Sequence, residues 1–114
     1  MHYYRFPLKD YRSAAGHLFL RHDEDLTFRR LIDEYLYTEK PLTNDIPALA
    51  RRIGMDQETV KFVLREFFVE RDDANDSPCW WLKWADEEIE RAKEVTKQAK
   101  ERAYKRWKPS APSN

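Results

Sequence analysis

The hydrophobic residues between Asp45 and Trp84 change their period once, and that change limits the fold more than any other feature of the chain. Up to Phe68 they recur three and four positions apart, the repeat of a helix buried on one side. Beyond it, FFVER, the turn-rich DDANDSP and CWWLKWA read as two strands around a loose loop. A plain three-helix bundle has no place for that switch. A helix-turn-helix followed by a two-stranded wing does, so the sequence predicts a mainly α fold with a small β-hairpin (α+β), a winged helix-turn-helix with a further C-terminal helix.

The helical part carries its own boundaries. Asp45 suits an N-cap, Pro47 the first turn, and Leu49, Ala50 and Ile53 a short buried side. Gly54 fits the position after the helix, where positive φ is required. Asp56 then caps a second helix, with Met55 and Val60 placed as a hydrophobic staple. Val60, Val63, Leu64 and Phe67 form its inward stripe, and Gln57, Lys61 and Arg65 line one outer strip. Upstream, Phe28, Leu31, Ile32, Tyr35 and Leu36 predict a helix over about 23–38, with Asp23 as N-cap and Pro41 closing the region.

The flanks are less regular. The opening MHYYRFPLKDYRSAAGHLFL contains Pro7 and lacks helical period, which predicts an extended arm, with at most a short strand, over 1–22. In the second wing strand, alternation puts Trp80, Leu82 and Trp84 on one face and Cys79, Trp81 and Lys83 on the other. A helix resumes near Ala85, with Glu87–Arg91 and Glu101–Lys105 as favourable pairs. Its thin apolar stripe predicts docking of the first turns only. The expected parts are an arm over 1–22, a winged-helix domain over 23–90, a basic helix over 91–108 and a disordered tail over 109–114.

Charge sorts the functional classes. The 21 basic and 21 acidic residues of the 114 cancel, so the whole chain lacks the cationic excess of a strongly nucleic-acid-binding protein. The distribution is uneven: residues 1–85 carry 13 basic and 15 acidic side chains, whereas 97–108 carry six basic residues and Glu101. Catalysis finds no support. His2, His17 and His22 have no metal-ligand spacing, Cys79 has no second cysteine, and two glycines make no phosphate loop. No cofactor or metal is expected, and Cys79 reads as a packed thiol. The absence of a long apolar run or signal-peptide pattern predicts a soluble, cytoplasmic protein without membrane contact.

An ordered set of segments adds a resemblance. HYYRF, Asp10–Tyr11, Leu18, RRLIDEY, EKPL, ALARRIG, EFF and the Trp80–Glu88 pattern W-x-x-K-x-x-D-E-E resemble the YdaU N-terminal-like domain across about residues 2–90. That domain has no assigned biochemical function. It occurs in prophage proteins and at the front of phage replication-organiser proteins, and the resemblance implies a winged helix linked to phage DNA replication in a bacterial host. Two places depart from it. Leu26-Thr27-Phe28 stands where relatives tend to carry Gly-Ala-Tyr, and Trp84 stands where a basic residue is usual.

Double-stranded DNA is therefore the first expected partner, in replication initiation or transcriptional control. Gln57, Lys61 and Arg65 are placed to read bases or grip phosphate, with Arg51, Arg52 and Lys83 as phosphate contacts. Lys97, Lys100, Arg102, Lys105 and Arg106 form a second set, interleaved with Tyr104 and Trp107. Glu58, Glu66, Glu70, Asp72, Asp73 and Asp76 oppose the first. The alternative is a protein-interaction module on the same fold, recruiting a replication or host protein or forming a homodimer. Phe62, Trp80 and Trp84 are its contact candidates, and Phe62 alternatively tucks under the N-terminal arm.

Overall fold

A computed structural model describes residues 3–16 and 20–107. Its order is α1 (Leu8–Ala15), α2 (His22–Thr38), β1 (Leu42–Thr43), α3 (Ile46–Ile53), α4 (Gln57–Phe67), β2 (Val69–Asp72), β3 (Pro78–Trp81) and α5 (Lys83–Trp107). The three strands form an antiparallel sheet in the order β1-β3-β2. The predicted α+β class is thus the observed one.

The core follows from the α2 and α4 stripes. Phe28, Leu31, Ile32 and Tyr35 of α2 are fully buried, as are Val60, Val63 and Leu64 of α4. The two helices pack on each other, with α3 against both. Asp45 caps α3 by accepting from the Ala48 amide at 3.1 Å, and Asp56 caps α4 by accepting from the Thr59 amide at 2.9 Å. Gly54 ends α3 at φ 72°, where a side chain would be strained and its Cβ would crowd Arg30.

The N-terminal segment corrects the extended arm. Pro7 precedes α1 instead of preventing it, because a residue ahead of the first turn needs no amide donor. Tyr11 and Ala15, four apart, enter the core; Tyr11 lies 4.9 Å from the Phe28 ring and donates a hydrogen bond to Asp25. Helix α2 starts one residue before the expected position. Its cap is Arg21, whose amide is taken by the Glu24 carboxylate at 2.8 Å, so Asp23 is not the N-cap.

The hairpin forms where the period changes, and β1 adds a strand that the sequence reading lacked. Leu42 pairs with Trp80 and Thr43 with Cys79. Asn44 ties the sheet together, accepting from the Trp80 indole at 3.0 Å and donating to Glu70. Strand β3 stops at Trp81. Both the Ala85 and Asp86 amides donate to the Leu82 carbonyl at 3.1 Å, which turns the chain into α5 at Lys83. Lys83 and Trp84 therefore lie in a helix and not on the wing.

Tyr35 fixes that junction. Its hydroxyl donates to Asp86 at 2.6 Å and accepts from the Leu82 amide at 3.2 Å. Burial raises the pKa of both the Tyr35 hydroxyl and the Asp86 carboxyl. Helix α5 then runs unbroken from Lys83 to Trp107, starting two residues before the expected Ala85. Arg91 pairs with Glu88 at 2.6 Å, and not with Glu87 as its spacing suggested.

One core position is poorly matched to its surroundings. Thr27 is fully buried, and its hydroxyl has no hydrogen-bond partner among the described residues. A buried, unpaired hydroxyl costs about 1–3 kcal/mol, and valine keeps its shape without that group. Thr27→Val is expected to raise stability by about 1 kcal/mol. Urea unfolding would show this as a higher midpoint with an unchanged slope. A lower midpoint would mean that the hydroxyl is satisfied in solution.

Candidate nucleic-acid interface

The α3–α4 link is three residues long, and capping at both ends defines its path. The Gly54 and Met55 amides both donate to the Ala50 carbonyl, closing α3 tightly. Arg30, from α2, donates to the Ile53 carbonyl at 2.6 Å and satisfies another end group of α3. Helix α4 therefore leaves the turn with a defined rotation. Thr59, Val60, Val63 and Leu64 face inward, which leaves two outer strips with four-residue spacing. One holds Gln57, Lys61 and Arg65; the other holds Glu58, Phe62 and Glu66.

The predicted contact residues have different fates. Gln57 and Arg65 are exposed and Lys61 is half-buried. Among the described residues, Lys61, Arg65 and the exposed Arg51 have no carboxylate within ion-pair distance. Arg52 differs: its guanidinium meets Glu34 of α2 at 2.6 Å. The hydrogen bond and charge of Glu34 hold the Arg52 pKa above its ordinary value, and the pair offers phosphate a compensated cation. Lys83 is exposed in the first turn of α5, two residues past the end of β3.

The α4 N-terminus is already occupied. Asp56 accepts from both the Thr59 amide and hydroxyl, and these bonds hold its pKa below the usual carboxylate range. Its negative charge sits where a phosphate would otherwise meet free helix amides. The outer strip, not the helix end, is the cationic feature.

The hairpin tip is acidic. Asp73 is consumed structurally: it accepts from the Ser77 and Asn75 amides at 3.0 and 2.8 Å, and those bonds lower its pKa. Asp72 and Asp76 are exposed. Arg71 is the cation that the sequence reading missed. It lies 4.6 Å over the Trp81 ring, whose indole donates to the Arg71 carbonyl at 2.9 Å. Cross-strand distance carried the signal, since the two residues flank the loop on paired strands.

The tryptophans make no common surface patch. Trp80 is buried at 7% exposure as part of the hydrophobic core, which removes it from the protein-contact candidates. Trp84 is half-buried and packs 6.0 Å from Phe28. Phe62 remains 39% exposed on α4. Cys79 is buried beside Asp73, and burial pushes its thiol pKa up, which suppresses the nucleophilic thiolate.

Helix α5 separates charge in space. Its last buried residue is Ala92. Residues 1–92 contain 14 basic and 19 acidic residues, whereas 93–114 contain seven and two. Lys97, Lys100, Arg102, Lys105 and Arg106 are all exposed on the half that projects from the body.

His2 and His17 lie outside the described residues, as does the 109–114 segment. Among the described residues, no group of three His, Cys, Asp or Glu side chains is placed to hold a metal ion. None of the described helices is long and apolar enough to cross a membrane. No curated protein and no solved structure matches the chain. A family model does match, over residues 2–90, and so the chain belongs to the DUF1376 family, described as proteins of unknown function.

Proposed function

We propose that the body of this protein is a winged helix-turn-helix that binds duplex DNA through α4, in phage or prophage replication initiation or transcriptional control. The observation that carries this reading is the outer strip of Gln57, Lys61 and Arg65, whose two cations have no carboxylate partner among the described residues. A capped three-residue turn gives the strip a fixed direction. Arg51, exposed in the last turn of α3, is a further candidate phosphate contact, and Arg71 takes the wing role first given to Lys83. The phage connection rests on the resemblance of the matched region to the YdaU N-terminal-like domain.

Mixed-sequence duplex DNA, titrated at about 50 and 200 mM salt, tests the reading. Residues beyond Ala92 bury nothing in the core, so a chain ending near residue 95 retains the body. It is expected to bind duplex in a salt-sensitive manner. Lys61→Ala with Arg65→Ala should weaken binding by about tenfold and reduce the salt slope by about two. Unchanged binding by the double variant would remove α4 as the contact.

A second reading has one observation in its favour. Glu58, Phe62 and Glu66 form an acidic strip around an exposed aromatic, on a body with more acidic than basic residues. Such a surface suits a basic protein partner. No duplex binding by the shorter chain, together with a stoichiometric protein complex lost in Phe62→Ala, would favour it.

A further inference from the structure

We infer that the projecting half of α5 binds single-stranded nucleic acid, with lysines on the phosphates and two aromatic rings on the bases. This inference is independent of α4 and duplex DNA. Beyond Ala92 the helix continues for fifteen residues, or about 22 Å at 1.5 Å per residue, without burying a side chain. The described chain is correspondingly elongated, at 66 × 32 × 22 Å. Alanine, lysine, glutamine, glutamate and arginine sustain this helix by propensity, while its docked first turns supply the nucleus.

The spacing of side chains on this segment is specific. Lys93, Lys97, Lys100, Tyr104 and Trp107 recur at four, three, four and three residues, which places them within about 80° of helix surface. Glu94 and Glu101 fall on the neighbouring strip with Gln98 and Lys105. Residues 93–107 carry six basic and two acidic side chains, and none of those cations is ion-paired among the described residues. Tyr104 is 61% exposed and Trp107 81%.

Charge selects a polyanion over a second copy of the same helix, since two such arms side by side would repel. The aromatics then select the type of polyanion. A duplex hides its base faces, whereas an unpaired strand offers them to Tyr and Trp rings in line with a cationic track. The cationic excess of the chain lies on this arm, since residues 93–114 carry seven basic and two acidic side chains.

The test uses the full chain and a fluorescent oligo-dT of about 20 nucleotides, with a duplex of equal length for comparison. Lys93→Ala, Lys97→Ala and Lys100→Ala together should weaken oligo-dT binding at least about tenfold and lower its salt slope by about two. Tyr104→Ala with Trp107→Ala should weaken oligo-dT binding by about tenfold, leaving duplex binding and the salt slope unchanged. The lysine substitutions favour helix, and circular dichroism would verify that the arm persists. Wild-type affinity for oligo-dT in either variant overturns the inference. So does an aromatic variant that loses duplex and single-strand binding equally. Neither result bears on Lys61 and Arg65, which are read separately on duplex with the shorter chain.

Discussion

Phe28→Ala is expected to destabilise the protein by about 3–5 kcal/mol, the range for removing a fully buried aromatic side chain. Phe28 has no exposed surface and meets four rings from three parts of the chain. It stacks on Phe67 of α4 at 4.3 Å, with Tyr11 of α1 at 4.9 Å, Phe68 at 5.9 Å and Trp84 of α5 at 6.0 Å. Those neighbours come from α1, the end of α4 and α5, and cannot close over the vacancy without moving helices. The lost area and the remaining cavity therefore both contribute. Chemical denaturation would report the change, and melting temperature should drop by more than about 10 °C. Phe62→Ala is the control: at 39% exposure it should lose less than about 1.5 kcal/mol. Similar losses at the two sites would mean that the ring cluster is not the centre of the core.

Aromatic residues make up 14% of the chain, which suits such a core but does not say which rings form it. Helix α2 was legible because five apolar positions repeat over nine residues, and the α3–α4 turn because Asp45, Gly54 and Asp56 each have a local role. The hairpin was legible from the period switch. Helix α1 was not, since only Tyr11 and Ala15 of its eight residues are buried, too few to establish a repeat. Strand β1 has two residues and exists through pairing with β3, a non-local contact with no local signature. Trp80 pairs with Leu42 through that contact and is part of the core. For the candidate interface, sequence spacing defined the strip on α4 but not the state of each charge. Arg52 and Glu34 are 18 residues apart and meet because α2 and α3 pack together, so helical spacing gives no warning of the pair.

Glu88→Gln is expected to reduce stability by about 1.5–3 kcal/mol near neutral pH, the range for charge-assisted hydrogen bonds. Glu88 is buried and connects two distant parts of the chain. Its carboxylate accepts from Arg91 at 2.8 and 2.6 Å and from the Arg5 amide at 2.7 Å, while Arg91 also donates to the Tyr3 carbonyl at 3.3 Å. The hydrogen bond from Arg91 is the main cause that holds the Glu88 pKa below its ordinary value. The unfolded chain thus binds this proton more readily than the folded one. The Glu88 contribution is complete above the unfolded carboxylate value of about 4.3 and disappears as pH falls through the lower folded value. Asp86 has the opposite sign, because burial raises its pKa and its folded form retains the proton more strongly. Comparing wild type with Glu88→Gln across pH isolates the first group from the second. The stability gap should be widest above about pH 5 and close towards pH 2. Limited proteolysis supplies a second readout, with faster cleavage before Pro7 expected in the variant once Arg5 and Tyr3 lose their anchors. A stability gap independent of pH would show that Glu88 acts by packing alone.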